Sequence, residues 1–300
     1  MSPSPIREQV ILAPFTSYKV GGPSRYFVEP QSIEEIQASW AWAKSKDLPV
    51  YFLGKGSNVL VSDQGFPGLV ILLSSNFDRI EWYPPQSDGS VLVRAQAGAL
   101  LASLTRESVR RSLAGLECLG GIPGTVGGAV AINAGAYGQE VCTAIEEVVS
   151  TLSQGNLITR NAETCNFAYR DSLFVYNGEL VVEALFHLCP GNKEVLSSKM
   201  SDCLAQRKKT QPLQWPNAGS VFKRPAGMAP GALIEQCGCK GWLEGGAEVS
   251  SIHANFIINR GGATALNIWN LIQRVRDHVW GQTGILLEPE IRWLGPNAEP

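Results

Sequence analysis

Residues 120–138 read Gly-Gly-Ile-Pro-Gly-Thr-Val-Gly-Gly-Ala-Val-Ala-Ile-Asn-Ala-Gly-Ala-Tyr-Gly, a set of residue types suited to holding a bound group by the backbone. Seven of the nineteen are glycine, and no charged residue lies between Glu117 and Glu140. A flexible linker this rich in glycine is polar; this segment is apolar, with Thr125 and Asn133 as isolated polar positions. It suits a flat, anionic cofactor held by main-chain N–H groups. It equally suits a buried crossing where helices pack on glycine. The residues alone leave both readings open. A second loop, Gly54-Lys55-Gly56-Ser57-Asn58, follows the apolar run Val50-Tyr51-Phe52-Leu53. It begins like a dinucleotide fingerprint, which needs a third glycine and an amphipathic helix. The chain continues Val59-Leu60-Val61-Ser62-Asp63, β-branched and short, so that fingerprint is rejected. The loop can still bind phosphate through N–H groups, Ser57 and Asn58, or be a plain turn between strands.

Metal and triad chemistry find little to work with. The three histidines, His187, His253 and His278, are far apart in sequence, which argues against a histidine metal centre or a Ser-His-Asp triad. Seven cysteines are scattered, with no Cys-x-x-Cys, and Cys237-Gly238-Cys239 is the only close pair. That usage fits reduced thiols. The basic run Arg207-Lys208-Lys209 ends a helical pattern, where positive charge complements the helix dipole.

The elements that must position these loops follow from composition and pattern. Three hundred residues, 44% hydrophobic and 17% charged, describe a globular chain with a large core. A formal net charge of −2 gives no reason to expect nucleic acid or an anionic membrane as partner. No signal-peptide pattern and no apolar run near 20 residues occur, so a cytoplasmic location is expected. Residues 1–14 read as a loose lead-in. Ser32 and Glu35 suggest a capping box for a helix that ends before Pro49. Further helices are expected over 100–113, with Leu100, Leu101, Leu104 and Val109 inward, and over 195–209, with Val195, Leu196, Met200 and Leu204 inward. Two more are expected over 232–237 and 265–280, the last with Leu266, Trp269, Ile272, Val275 and Val279 on one side. Strands are expected over 26–28, 50–53, 69–73, 91–97, 144–152, 156–160, 180–188, 255–259 and 287–292. Cys189-Pro190-Gly191-Asn192 breaks the pattern and marks a boundary.

Seven separated motifs, in order, resemble one family. They are Tyr18-Lys19-Val20-Gly21-Gly22-Pro23, Leu53-Gly54-Lys55-Gly56-Ser57-Asn58, Gly121-Ile122-Pro123-Gly124-Thr125-Val126-Gly127-Gly128-Ala129 and Asn133-Ala134-Gly135-Ala136-Tyr137-Gly138. Tyr169-Arg170-Asp171-Ser172, Asn217-Ala218-Gly219-Ser220-Val221-Phe222-Lys223 and Leu287-Glu288-Pro289-Glu290 complete the set. From residue 16 to residue 295 the chain resembles the UDP-N-acetylenolpyruvoylglucosamine reductases, the MurB family, in their shorter type II form. The resemblance implies an α+β fold. A two-subdomain FAD-binding domain of the vanillyl-alcohol-oxidase/PCMH type would span 16–190, in subdomains 16–73 and 74–190, after a lead-in over 1–15. A C-terminal substrate domain would span 191–300.

It also implies a reaction: reduction of UDP-N-acetylglucosamine enolpyruvate to UDP-N-acetylmuramate in peptidoglycan synthesis, with FAD as cofactor and NADPH as co-substrate. Hydride addition to the terminal enol-ether carbon builds negative charge on the next carbon and its carboxylate. That charge needs a cation, a fixed hydrogen-bonding partner and a proton donor. By resemblance these are Arg170, Glu290 and Ser220 respectively. Standing alone, Arg170 would read as a surface partner of Asp171 and Ser220 as a turn residue. Glu288 competes locally with Glu290. The implied FAD contacts are Gly54, Lys55, Gly56, Ser57, Asn58, Gly98, Gly124, Thr125, Gly128, Asn133 and Gly135. The implied substrate contacts are Tyr169, Lys208, Lys223 and Arg224; the family usually carries Asn where this chain has Arg224. No metal and no obligate protein partner are implied. Two other classes compete: a flavin oxidase with tethered flavin, and a non-catalytic nucleotide-binding protein.

Overall fold

The computed structural model describes residues 4–152, 155–225 and 227–297. It divides into two compact units that interleave along the chain. The first comprises residues 1–6, 27–55 and 69–207, and the second residues 7–26, 56–68 and 208–300. The expected boundary near 190 therefore falls inside the first unit.

The first unit is built on an antiparallel sheet. Along it run Leu157–Asn161, Ile145–Thr151, Leu180–Pro190, Val91–Gln96 and Ile80–Trp82. Val91–Gln96 alternates buried and half-buried residues, as a strand with one covered face must. Its partner pairs Ala184 with Ala95 and Phe186 with Val93. Onto the covered face pack Leu101, Leu104, Val126 and Val130, all fully buried. The helix Leu101–Arg110 turns Leu101, Leu104 and Val109 inward, while Glu107 pairs with Arg110 and Arg111 on the outer side. Leu100, expected inside, is 42% exposed, because it is the extended residue before the helix starts. A parallel pair, Val50–Leu53 with residues 69–72, lies elsewhere in this unit. The helix Ile33–Ser45 is capped by Ser32, whose hydroxyl accepts from Glu35 N–H. The expected return arm of the box reaches one residue further back, since the Glu35 carboxylate accepts from Gln31 N–H. On the helix Lys193–Thr210 only Leu196 is buried; Val195 and Leu204, expected inward, are exposed.

The second unit carries an antiparallel sheet of Leu243–Glu244, Ala247–Val249 and Ile257–Asn259. Against it lies the helix Ala265–Thr283, opened by a Thr264/Asn267 capping box and stopped at Gly284 with φ +71°. Ile268, Leu271, Ile272, Val275 and Val279 form its buried stripe. Leu266, expected on that stripe, is half exposed: two residues before Ile268, it sits about 200° round the helix. Arg7–Ile11, within the expected lead-in, forms a strand, and Leu12 is fully buried. The strand expected over 287–292 begins at Arg292 and runs to Leu294, parallel to Val59–Val61. Pro289 has no N–H to donate, so the preceding segment makes a single bridge, to Phe222, instead of a ladder. Among the described residues no helix is long and apolar enough to cross a membrane.

Candidate active site

The glycine-rich segment is closely packed at one glycine and open at the next. Val126 and Gly127 donate their N–H groups to Ala99 and Ala97 carbonyls, at 2.8 and 2.9 Å. A Cβ on Gly127 would come within 2.6 Å of the Ala97 Cβ, so this glycine is there for packing. Gly128 differs. It is exposed, and a Cβ there would meet only the Thr125 hydroxyl, at 3.7 Å. Gly54, at the end of Val50–Leu53, approaches the same hydroxyl so closely that a Cβ would sit 2.4 Å from it. Gly54, Thr125 and Gly128 are thus brought together in the first unit, with the half-buried Gly124 beside them accepting from Leu101 N–H. Gly98 answers a different demand: a Cβ there would fall 2.4 Å from the Phe77 carbonyl. Lys55 is exposed, and the chain then passes into the second unit. There Gly56 takes φ +62° and accepts from Ser17 N–H, and Ser57 and Asn58 are half-buried.

Arg170 sits at the tip of a tight turn in which Ala168 and Asp171 exchange both backbone hydrogen bonds. Its φ is +55°, an uncommon conformation for a residue with a side chain. The guanidinium donates to the carbonyls of Gly135, at 2.7 Å, and Asn133, at 3.5 Å, and lies 5.1 Å from the centre of the Tyr169 ring. Asn133 is 1% exposed, and its side chain ties three pieces of chain together. Its amide donates to the Ala168 carbonyl and the Glu140 carboxylate, and its oxygen accepts from Cys142 N–H. Asp171, the sequence neighbour of Arg170, accepts instead from Ser172 N–H and the Tyr176 hydroxyl.

The second unit gathers Asn58, Ser220 and Glu290. Asn217 fixes the turn before Ser220 by accepting from Gly219 N–H at 3.0 Å. Buried Asn255 fixes the residues after it: its carbonyl takes Val221 N–H, and its side chain bonds both backbone groups of Phe222. Glu290 N–H then donates to the Val221 carbonyl at 2.7 Å, while Asn58 donates its side-chain amide to the Glu290 carbonyl at 3.2 Å. The Ser220 hydroxyl is half-buried and has no hydrogen-bond partner among the described residues. Glu288 separates itself from Glu290. It is exposed, and its carboxylate pairs with the Lys223 ammonium at 2.6 Å. Arg224 and Lys208 both point to solvent.

One residue of the basic helix end was passed over in the sequence. Arg207 is half-buried, with its side-chain methylenes against Gly121, where a Cβ would be 2.9 Å from the Arg207 Cδ. Among the described residues its guanidinium has neither a carboxylate nor a hydrogen-bond acceptor, and burial lowers its pKa. The Tyr137 hydroxyl, whose own pKa is raised by burial, interacts with it electrostatically. Its sequence signal was proximity of an arginine to the Gln211-Pro212 helix stop, which does not distinguish it from Lys208. A cleft of about 350 Å³ elsewhere in the first unit, lined by Trp40, Lys44, Phe52, Phe174 and Glu179, contains none of the expected site residues.

Residues 24–160 match a family model described as an FAD binding domain, and residues 211–294 match the UDP-N-acetylenolpyruvoylglucosamine reductase C-terminal domain. UDP-N-acetylenolpyruvoylglucosamine reductase of Acaryochloris marina is 41% identical over 97% of this chain and 93% of its own. That of Synechocystis is 43% identical over 98% and 92%. The crystal structure of UDP-N-acetylenolpyruvylglucosamine reductase from Thermus caldophilus superposes with a TM-score of 0.82 at 34% identity, over 97% of this chain and 99% of that one. Fold and family models thus define an α+β, FAD-dependent oxidoreductase with a dedicated C-terminal domain. The chain belongs to the UDP-N-acetylenolpyruvoylglucosamine reductase family. Its activity is reduction of UDP-N-acetylglucosamine enolpyruvate to UDP-N-acetylmuramate for peptidoglycan synthesis, with NADPH as reductant.

Proposed function

We propose that Arg170, Ser220 and Glu290 are the catalytic residues of this reduction, a reading carried by the hydrogen bond that sets Glu290 beside the Ser220 segment. The cradle of Gly54, Gly124, Thr125 and Gly128 fits FAD: it is uncharged, shaped by close backbone approach, and open at Gly128. These residues, with Lys55, Gly56, Ser57 and Asn58, would hold the dinucleotide's diphosphate through backbone donors. Bound FAD supplies the hydride, which it receives from NADPH.

The protein's own part is positioning, charge and one proton. Ser220 presents a hydroxyl that is not committed to another group among the described residues, on a segment locked by Asn217 and Asn255. A carbanion is a strong base, so a placed serine can protonate it. Arg170 keeps a permanent positive charge, oriented by two carbonyls, for the carboxylate that gathers electrons. Glu290 is fixed through its backbone on both sides, by Val221 and Asn58. Tyr169, Lys223 and Arg224 are the substrate contacts of this reading. Arg207, packed against Gly121 and with no partner for its guanidinium among the described residues, is a better diphosphate partner than exposed Lys208. The location is cytoplasmic, where the nucleotide sugar and NADPH are both found.

Ser220→Ala tests the assignment by half-reaction. In anaerobic stopped flow, NADPH should reduce the flavin at the wild-type rate, while reoxidation by the enolpyruvyl sugar nucleotide slows by about 10²–10⁴-fold. Wild-type rates in both halves would remove Ser220 as the proton donor.

A further inference from the structure

Two thiols 85 residues apart in sequence face each other in the first unit: the Cys203 Sγ lies 3.1 Å from the Cys118 Sγ. We propose that Cys118 and Cys203 form an oxidative modification site that closes to a disulfide on contact with a hydroperoxide. A disulfide needs its sulfurs about 2.0 Å apart, so the pair has about 1 Å to close, within the reach of side-chain rotation. The two sulfurs are not equivalent. Cys118 is 3% exposed and its N–H is tied to the Gln139 side chain at 2.8 Å. Burial, with Cys203 beside it, pushes its thiol up to about 12. Cys203 is half-buried on the helix Lys193–Thr210 and is the sulfur an oxidant meets. Lys199 stands one turn before it and Arg207 one turn after on the same helix. Glu117, paired with Lys199 at 2.7 Å, and the Tyr137 hydroxyl are the other ionisable groups at the site.

The chemistry balances in two steps. The Cys203 thiolate attacks the distal peroxide oxygen; the O–O bond breaks, and the other oxygen leaves as an alcohol or water after taking a proton. Sulfur gives up two electrons to the peroxide and becomes a sulfenic acid. The Cys118 sulfur then attacks the Cys203 sulfur. The S–O bond breaks, and hydroxide leaves as water with the Cys118 proton. Two thiols and one hydroperoxide thus give one disulfide, one alcohol and one water. The link joins the helix carrying Arg207 to the chain just before Gly120, and it shields Cys203 from further oxidation.

The test treats the purified, flavin-loaded full chain with one equivalent of hydrogen peroxide, alkylates it under denaturing conditions and digests it without reductant. Mass spectrometry should find a Cys118–Cys203 linked peptide, lighter by about 2 Da than the two thiol peptides together and released by dithiothreitol. In Cys118→Ser, given excess peroxide because each sulfinic acid consumes two oxidant molecules, Cys203 should run on to the sulfinic acid; in Cys203→Ser under the same excess, Cys118 should stay an alkylatable thiol. The inference is overturned if wild-type Cys203 becomes sulfinic acid or stays a thiol with no linked peptide. It is equally overturned if the linkage recovered joins either residue to one of the other five cysteines.

Discussion

The backbone N–H of Glu290 donates to the Val221 carbonyl over 2.7 Å, which places the glutamate one residue from Ser220 across a two-stranded bridge. Glu288, two residues earlier, is occupied at the surface by Lys223. The two carboxylates, indistinguishable by sequence direction, therefore stand in different surroundings. Glu290→Gln should lower kcat by about 10²-fold or more, as expected for removing a group at the reacting centre. Glu288→Gln should leave kcat within a few-fold and change stability by less than about 1 kcal/mol, because its ion pair is largely in water. Steady-state kinetics on the two variants decide; equal losses in kcat would return the assignment to ambiguity.

Arg170 is held by the Gly135 carbonyl, and Gly135 is also the point where a side chain would strike it. A Cβ there would lie 3.1 Å from the Arg170 Nη1 and 2.8 Å from the Gln139 carbonyl. Gly135→Ala should thus mimic loss of Arg170 orientation without removing its charge. The expected result is a fall in kcat approaching that of Arg170→Ala, with the flavin still bound. Normal turnover of Gly135→Ala would show that the carbonyl contact does not orient the arginine for catalysis.

An unpaired guanidinium removed from water costs stability until an anion arrives. Arg207→Met should therefore melt no lower than wild type as apoprotein, yet lose affinity for a diphosphate ligand by about 10–100-fold. Weaker flavin retention would assign the anion to FAD; a raised KM for the sugar nucleotide or for NADPH would assign it to that substrate. Unchanged flavin content and unchanged KM values would remove Arg207 from the site.

Acid stability should carry the mark of Glu117. Burial raises its pKa, but the Lys199 ammonium at 2.7 Å and the Gly115 N–H at 2.9 Å outweigh that and bring it down to about 2. A folded-state value below the unfolded one means that the stabilisation is complete above about pH 4.5 and is lost as pH falls from there towards 2. Thermal melts of Glu117→Gln against wild type should differ at neutral pH by about 1 kcal/mol, since Lys199 stays half in solvent, and converge on acidification through that window. A difference that holds constant with pH would show that the carboxylate charge plays no part.

What could be read from sequence was what depends on short stretches of chain. The strand before Gly54, the helix stops, the Thr125 and Gly128 loop and the motifs around Arg170 and Ser220 all lie within about ten residues of their determinants. What was hidden depends on residues far apart. Nothing local separates Leu266 from Ile272 until the sheet face that covers the helix is known. Strand direction could not tell Glu290 from Glu288, which the resemblance alone separated; in the fold Val221 meets the backbone of one and Lys223 the carboxylate of the other. Asn133 reads as a ligand group, and its amide is bonded to Ala168 and Glu140. The only close cysteines in sequence are Cys237 and Cys239, whereas the thiols at 3.1 Å are Cys118 and Cys203.

The central claim is that the 54–58 and 120–138 loops hold a flavin that passes hydride from NADPH to an enolpyruvyl sugar nucleotide. The most direct measurement is the visible spectrum of the purified protein under anaerobic conditions, first with NADPH and then with UDP-N-acetylglucosamine enolpyruvate. The account predicts an oxidised flavin band that bleaches with NADPH and returns in full on adding the sugar nucleotide. A band that bleaches but returns only when oxygen is admitted would contradict it, as would a protein that neither carries nor takes up FAD.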